Sequence, residues 1–141
     1  MLNQVQKAYL AGFLDGDGSV YVQAKPNPTY KYGFQVAPYI VLFQSQKDKE
    51  NFAKICRTIG FGYLRERKDG ILEYIIGRAN DIRELIRQLK PYLILKKEQA
   101  ELIIQILDAK ENVKNEEDFR ELLKLIDSFR ELNYSKTRKR R

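Results

Sequence analysis

Two carboxylates, Asp15 and Asp17, stand two residues apart among glycines at the end of an apolar helical run, Leu10-Ala-Gly-Phe-Leu-Asp-Gly-Asp-Gly-Ser19. A helix C-terminus carries partial negative charge, so acids there work against the dipole by a few tenths of a kcal/mol, roughly. A divalent cation would offset that conflict, because hard cations such as magnesium take carboxylate and backbone carbonyl oxygens. A calcium loop opening at Asp15 is a poor fit. Its twelfth position needs a closing Glu, and Pro26 stands there.

Other chemistries are closed to this chain. It has no histidine, so imidazole bases and the usual zinc sites are excluded. The single Cys56 lies in a helical pattern, Phe52-Ala-Lys-Ile-Cys-Arg-Thr-Ile59, and reads as a small core residue. Carboxylate, amide and lysine chemistry remain.

The elements that must position these groups follow from periodicity. Val5, Tyr9, Leu10, Phe13 and Leu14 recur at helical spacing and predict a helix from about Gln4 to Leu14. Ala8, Ala11 and Gly12 leave one side of it nearly bare, which calls for a close neighbouring helix. Strands are expected over Ser19 to Lys25 and Phe34 to Phe43, with Pro38 awkward inside the second because proline belongs on an edge or at a bulge. A helix from Asp48 to Ile59 closes at Gly60. A second hairpin, Gly62 to Arg67 and Ile71 to Ile76, turns at Lys68-Asp69-Gly70.

Three more helices complete the chain. Ile82 to Leu89 is capped by Asn80 or Asp81 and stopped by Pro91; Glu98 to Leu107 follows; Glu117 to Leu132 is capped by Asn115. The order α-β-β-α-β-β-α-α-α gives an α+β fold, one antiparallel four-stranded sheet with helices on one face and the other face open. At 141 residues a single domain is expected over residues 1–133, followed by a basic tail, 134–141.

Charge divides the molecule. The net charge is +7, yet the last eight residues hold five bases, leaving 21 bases against 19 acids in the rest. Between Gly18 and Lys47 there is no acid at all, while Lys25, Lys31 and Lys47 alternate with Tyr, Gln, Asn and Thr, a stretch suited to a phosphate-rich partner. Residues 101–133 carry nine acids against five bases. No apolar run is long enough to span a bilayer and no signal-peptide pattern is present, so an intracellular protein without a membrane partner is expected.

The string Leu10-Ala-Gly-Phe-Leu-Asp-Gly-Asp-Gly18 resembles the signature of the LAGLIDADG homing endonucleases. Further matches are Lys25-Pro-Asn27, Gln44 to Lys47, Ile59-Gly-Phe-Gly-Tyr-Leu-Arg-Glu-Arg67, Leu93-Ile-Leu-Lys-Lys-Glu-Gln-Ala100 and Leu132-Asn-Tyr-Ser-Lys-Thr-Arg-Lys139. With one copy of the motif, the chain looks like the single-motif branch, whose members are homodimers joined through the motif helices. The resemblance implies a saddle-shaped DNA-binding sheet and an intron-encoded enzyme. Such an enzyme recognises a long pseudo-palindromic duplex site and hydrolyses both strands with magnesium. An alternative within the same fold is a non-cleaving DNA- or RNA-binding protein, a maturase acting on intron RNA or a regulator.

Residue by residue, the resemblance makes Asp17 the metal-binding carboxylate and the Gly16 carbonyl a supporting ligand. Asp15 becomes the structural acid, bonding backbone near the helix end, and lies with Ala8, Ala11 and Gly12 at the helix pair that joins two subunits. Lys96 matches the family's active-site lysine. Gln44 or Gln46 matches the residue that positions solvent, and Lys47 or Lys49 supplies the basic charge expected nearby. Base and backbone contacts fall on Tyr21, Gln23, Lys25, Asn27, Thr29, Tyr30, Gln35, Ala37, Tyr39 and Val41 of the first hairpin. Arg65, Arg67 and Glu73 are their counterparts on the second, and Ser135, Lys136 and Lys139 grip phosphates in the tail. Alternate side chains of a strand share a face, which is what a sheet laid in the major groove requires.

Overall fold

A computed structural model describes residues 1–133. Ser135, Lys136 and Lys139 lie outside the described residues. The elements are α1 (Gln4–Asp17), β1 (Gly18–Pro26), β2 (Phe34–Ser45), a 3-10 turn at Gln46–Asp48, α2 (Lys49–Arg57), β3 (Tyr63–Glu66), β4 (Ile71–Ile76), α3 (Ala79–Leu89), a 3-10 turn at Lys90–Tyr92, α4 (Lys97–Glu111) and α5 (Glu116–Leu132). The expected α+β order holds, and the four antiparallel strands run β1-β2-β4-β3. No helix among the described residues is long and apolar enough to cross a membrane.

The chain forms two compact units. The first comprises Met1–Ser19 and Tyr39–Lys97. In it α1 begins with a capping box that the sequence reading did not find: Asn3 Oδ1 accepts from Gln6 N at 2.8 Å and Gln6 Oε1 accepts from Asn3 N at 3.0 Å. Leu10, Ala11 and Leu14 are buried, and the Phe13 ring stacks on Phe52 of α2 at 5.8 Å. The helix continues through Asp17, three residues past the expected end at Leu14. Gly18 then caps it, its N–H bonded to the Leu14 carbonyl.

Glycine at 18 is required by contact, not by dihedral angle. A Cβ there would sit 2.5 Å from Leu14 Cδ1 and 2.9 Å from both Leu14 Cα and its carbonyl oxygen. Gly18→Ala is therefore expected to cost about 1–3 kcal/mol, as overpacking against backbone does. A lowered urea midpoint at unchanged slope would show it.

Sheet register separates two faces in this unit. Ile40, Leu42 and Gln44 of β2 lie opposite Ile76, Tyr74 and Leu72 of β4, and all but Gln44 are buried. On the other face Val41, Phe43 and Ser45 meet Ile75, Glu73 and Ile71, while Arg65 of β3 lies opposite Glu73. Pro38 is in an interior strand rather than on an edge, contrary to expectation. The β2–β4 pairing starts only at Ile40, so proline's missing donor leaves no β4 carbonyl unpaired.

Smaller corrections have local causes. α3 starts at Ala79 after Arg78, which offers no side-chain cap; Asp81 lies inside the first turn, where a carboxylate favours the dipole. Gly60 and Gly70 take positive φ, 88° and 86°, as the closing of α2 and the β3–β4 turn demand. Cys56 is buried, and burial pushes its thiol up to about 12, so it stays protonated at neutral pH.

The second unit comprises Val20–Pro38 with residues 98–133 of the described chain. Val20, Val22 and Val36 are buried there, as are Ala100, Ile103, Ile106 and Leu107 of α4 and Phe119, Leu122, Ile126 and Phe129 of α5. Asn115 caps α5 as expected, accepting from Asp118 N at 2.8 Å. The hairpin loop is anchored by aromatic stacking, Tyr32 and Phe34 lying 5.1 and 6.1 Å from the Phe119 ring.

Candidate metal centre and nucleic-acid interface

The end of α1 carries the motif acids, and the two are treated differently by the fold. Asp15 accepts three backbone hydrogen bonds from residues some eighty positions away. Ile94 N and Leu95 N reach its Oδ2 at 2.9 and 3.1 Å, and Lys96 N reaches Oδ1 at 3.0 Å. Asp15 thus bonds backbone, but that of the turn before α4 and not of its own helix end. Lys96 Nζ in turn donates to the Asp15 carbonyl at 2.7 Å. No basic residue occupies the last turn of α1, so Lys96 supplies from elsewhere the positive charge that a helix C-terminus favours.

Asp17 is exposed, and its carboxylate makes no hydrogen bond or ion pair among the described residues. Gly16, also exposed, is in the last helical turn, where carbonyls lack an intrahelical partner. These are hard oxygen donors, with no nitrogen or sulfur ligand nearby in sequence, and they suit magnesium or calcium. Among the described residues no three acidic, His or Cys side chains cluster to hold a metal ion. One chain therefore presents an open, partial donor set.

The solvent-network candidates separate by position. Gln44 is part-buried on the Leu72 face, and its Oε1 accepts from Ser45 N at 2.8 Å. Gln46 is exposed in the 3-10 turn, its backbone N bonded to the Gly70 carbonyl at 2.9 Å. Lys49 is ion-paired with Glu66. Lys47 has no side-chain partner among the described residues. Glu66 escaped the sequence reading, although alternation between Arg65 and Arg67 already put it on the other face of β3, toward α2.

The nucleic-acid candidates fall into two sets. In the second unit, Gln23, Lys25, Thr29 and Tyr30 are exposed and Tyr21, Asn27, Gln35 and Ala37 part-buried. Asn27 Oδ1 is already engaged by Thr29, which donates from both its N at 3.0 Å and its Oγ1 at 2.7 Å. In the first unit, Tyr39 lies across from Gly77, where a Cβ would come within 3.2 Å of its ring. Arg65 Nη1 is 3.4 Å from Glu73 Oε1, Arg67 Nη1 3.9 Å from Oε2, and Arg67 Nη2 2.6 Å from Asp69 Oδ2. Glu73 Oε1 is shut off from solvent without a well-directed hydrogen bond, so it acts on Arg65 through charge.

Two candidates are corrected by burial. Val41 is 1% exposed and lies directly opposite Ile75 of β4, itself buried. It cannot touch a base. Ala11 is wholly buried with Leu10 and Leu14 and does not belong to the bare side of α1. The open side consists of Val5, Ala8, Tyr9, Gly12 and Gly16; Val5 and Tyr9 are 79% and 56% exposed. A Cβ at Gly12 or Gly16 would meet nothing within 4 Å.

A sequence model described as LAGLIDADG endonuclease matches residues 10–106. The chain is 37% identical over 132 residues to the DNA endonuclease I-CreI of Chlamydomonas reinhardtii, covering 93% of this chain and 80% of that protein. The chain belongs to the LAGLIDADG endonuclease family. A second relative, the DNA endonuclease I-CvuI of Chlorella vulgaris, is 32% identical over 125 residues, with 89% of this chain and 78% of that one covered. A crystal structure of the homing endonuclease I-CvuI with the I-CreI target in 2 mM Mg, its DNA not cleaved, superposes with a TM-score of 0.88. It shares 31% identity and covers 93% of this chain and 83% of that one. Another I-CvuI structure holds its own target in the presence of 2 mM Ca and gives a TM-score of 0.87. The LAGLIDADG match begins at Leu10 and ends in α4, so it contains both Asp17 and Lys96.

Proposed function

We propose that this chain is a homing endonuclease that works as a homodimer and cuts both strands of a long pseudo-palindromic DNA site with a divalent cation, magnesium being the expected one. The observation that carries this reading is the end of α1: a family-motif carboxylate, Asp17, exposed and without a partner among the described residues, with the Lys96 ammonium held against the same helix turn. Asp17 and the Gly16 carbonyl hold the cation, and a second copy of the chain completes the donor set. When bound, the cation supplies Lewis acidity, lowering the pKa of water and drawing charge from the scissile phosphate. Lys96 adds a fixed positive charge where the phosphate becomes more negative. Gln44 or Gln46 orders solvent, and Lys47 serves better than Lys49 as the extra cation, because Glu66 already neutralises Lys49.

Residues 1–133 act as the endonuclease domain. Each unit carries part of the DNA contact. Amide, hydroxyl and lysine groups at Tyr21, Gln23, Lys25, Asn27, Thr29, Tyr30 and Gln35 read bases and backbone in one, with Ala37 giving apolar contact. Tyr39, Arg65 and Arg67 serve in the other, and Glu73 holds the two guanidiniums. Ser135, Lys136 and Lys139 grip phosphates. No observation on this chain favours the RNA-binding alternative.

Selection from a randomised duplex library tests the reading. Incubated with magnesium, the protein is expected to release fragments broken in both strands at one recurring, near-palindromic sequence, and chelation should stop the release. Retention of the sequence without breakage in either strand would sink the cleavage assignment and leave a binding protein.

A further inference from the structure

We infer that Asp15 is a positioning residue, a clasp that fixes the turn before α4 so that the Lys96 ammonium stays at the end of α1. The inference rests on the reading of Lys96 as a participant in cleavage. Ile94 and Leu95, which precede Lys96, have side chains 82% and 72% exposed, so burial of these two side chains among the described residues does not hold the turn. Leu93, before them, is buried and anchors only the near end. The turn is held instead by one carboxylate that spends both oxygens on three consecutive amides, at 2.9, 3.1 and 3.0 Å. Three N–H groups converging on an anion form a charge-assisted nest, stronger than ordinary amide hydrogen bonds.

The clasp is reciprocal. Asp15 gives its side chain to the Lys96 backbone and its backbone carbonyl to the Lys96 side chain, at 2.7 Å. A single residue therefore sets both where the Lys96 Cα lies and where its ammonium points. Asp17 follows two residues later on the same helix, so the clasp puts the lysine and the carboxylate into one rigid frame. Asparagine at 15 would turn one acceptor oxygen into a donor facing an amide N–H, loosening the turn while keeping its volume.

The experiment is a double-mutant cycle on a target recovered by the selection above, read in single-turnover cleavage at saturating DNA and magnesium and in target affinity with calcium. Asp15→Asn is expected to slow cleavage by about tenfold to a hundredfold, the cost of misplacing a reacting group by about an ångström, with affinity unchanged. In the Lys96→Ala background the same change should add less than about twofold, because the group it positions is already gone. Losses that multiply in full, with Lys96→Ala itself impaired, overturn the positioning role and leave the role of Lys96 standing. Wild-type cleavage by Lys96→Ala refutes the reading of Lys96, and the clasp's purpose with it. Should Asp15→Asn not fold, amide hydrogen exchange on the unaltered protein decides. Protected amides at Ile94, Leu95 and Lys96 uphold the clasp, and exchange at the free-peptide rate overturns it.

Discussion

Asp17→Asn is expected to abolish cleavage, by on the order of a thousandfold or more, while leaving target binding intact and the folded chain slightly more stable. The three effects share one cause. The Asp17 carboxylate touches no partner among the described residues, so asparagine removes charge without breaking an internal contact. Its place at the C-terminus of α1 makes that charge unfavourable to the helix, and neutralising it returns a few tenths of a kcal/mol, roughly. A carboxylate aimed at a phosphodiester also repels it, so affinity measured with calcium should hold or rise. Catalysis is expected to move the other way because asparagine is a weaker ligand for a hard cation, and in the proposed site Asp17 is the one unpartnered motif acid among the described residues of each protomer. Single-turnover cleavage, calcium-supported binding and urea unfolding on the same preparation check all three signs. Full cleavage by this variant in magnesium would falsify the metal assignment.

Much of this arrangement was legible in the chain because it depends on local patterns. Apolar periodicity located every helix, and glycine with proline marked most of their ends, as at Gly60 and Pro91. The family signature singled out Asp17 as a candidate, and the separate match over Leu93–Ala100 singled out Lys96. The misreadings occurred where distant residues decide. Asp-Gly-Asp-Gly looks like a turn, yet α1 runs through Asp17, since Asp15 finds its hydrogen-bond donors at residues 94–96 and does not need to bend the chain locally. No rule of spacing connects positions 15 and 96. Val41 alternates correctly with Tyr39 for a solvent face, but it is 1% exposed, opposite Ile75 of β4, and alternation within one strand does not report what the other strands bring over it. Ala11 and Gly12 look alike as small residues; the packing of α1 against α3 and the Pro91 turn sends one inward and the other out. Burial of small residues on a helix is a tertiary property, and size alone does not report it.

Gly12→Leu is expected to break the proposed homodimer and with it double-strand cleavage, without harming the chain's own fold. Glycine in the interior of an exposed helix costs about 0.5–1 kcal/mol relative to alanine, and α1 carries one there at 12 and another in its last turn at 16. Neither is needed internally, because a side chain at either position would enter open space. The need therefore lies outside the chain. With Ala8 they form a small-residue row at intervals of four, the pattern that lets two helix backbones approach closely, flanked by the exposed apolar Val5 and Tyr9. In the proposed homodimer a second copy of α1 would lie on that row through a two-fold axis, cover Val5 and Tyr9 and bring a second Asp17 to the first. Leucine at 12 fills the gap that the partner's backbone must occupy. Analytical ultracentrifugation should then show a monomer in place of a dimer, and urea unfolding extrapolated to equal protomer concentration should show a helix no weaker than before. Nicking and cutting should both fall, since the donor set of one chain is incomplete. A variant that stays dimeric and cuts at the wild-type rate would mean that α1 joins nothing, and that the cost of two exposed glycines is offset by something other than a second subunit.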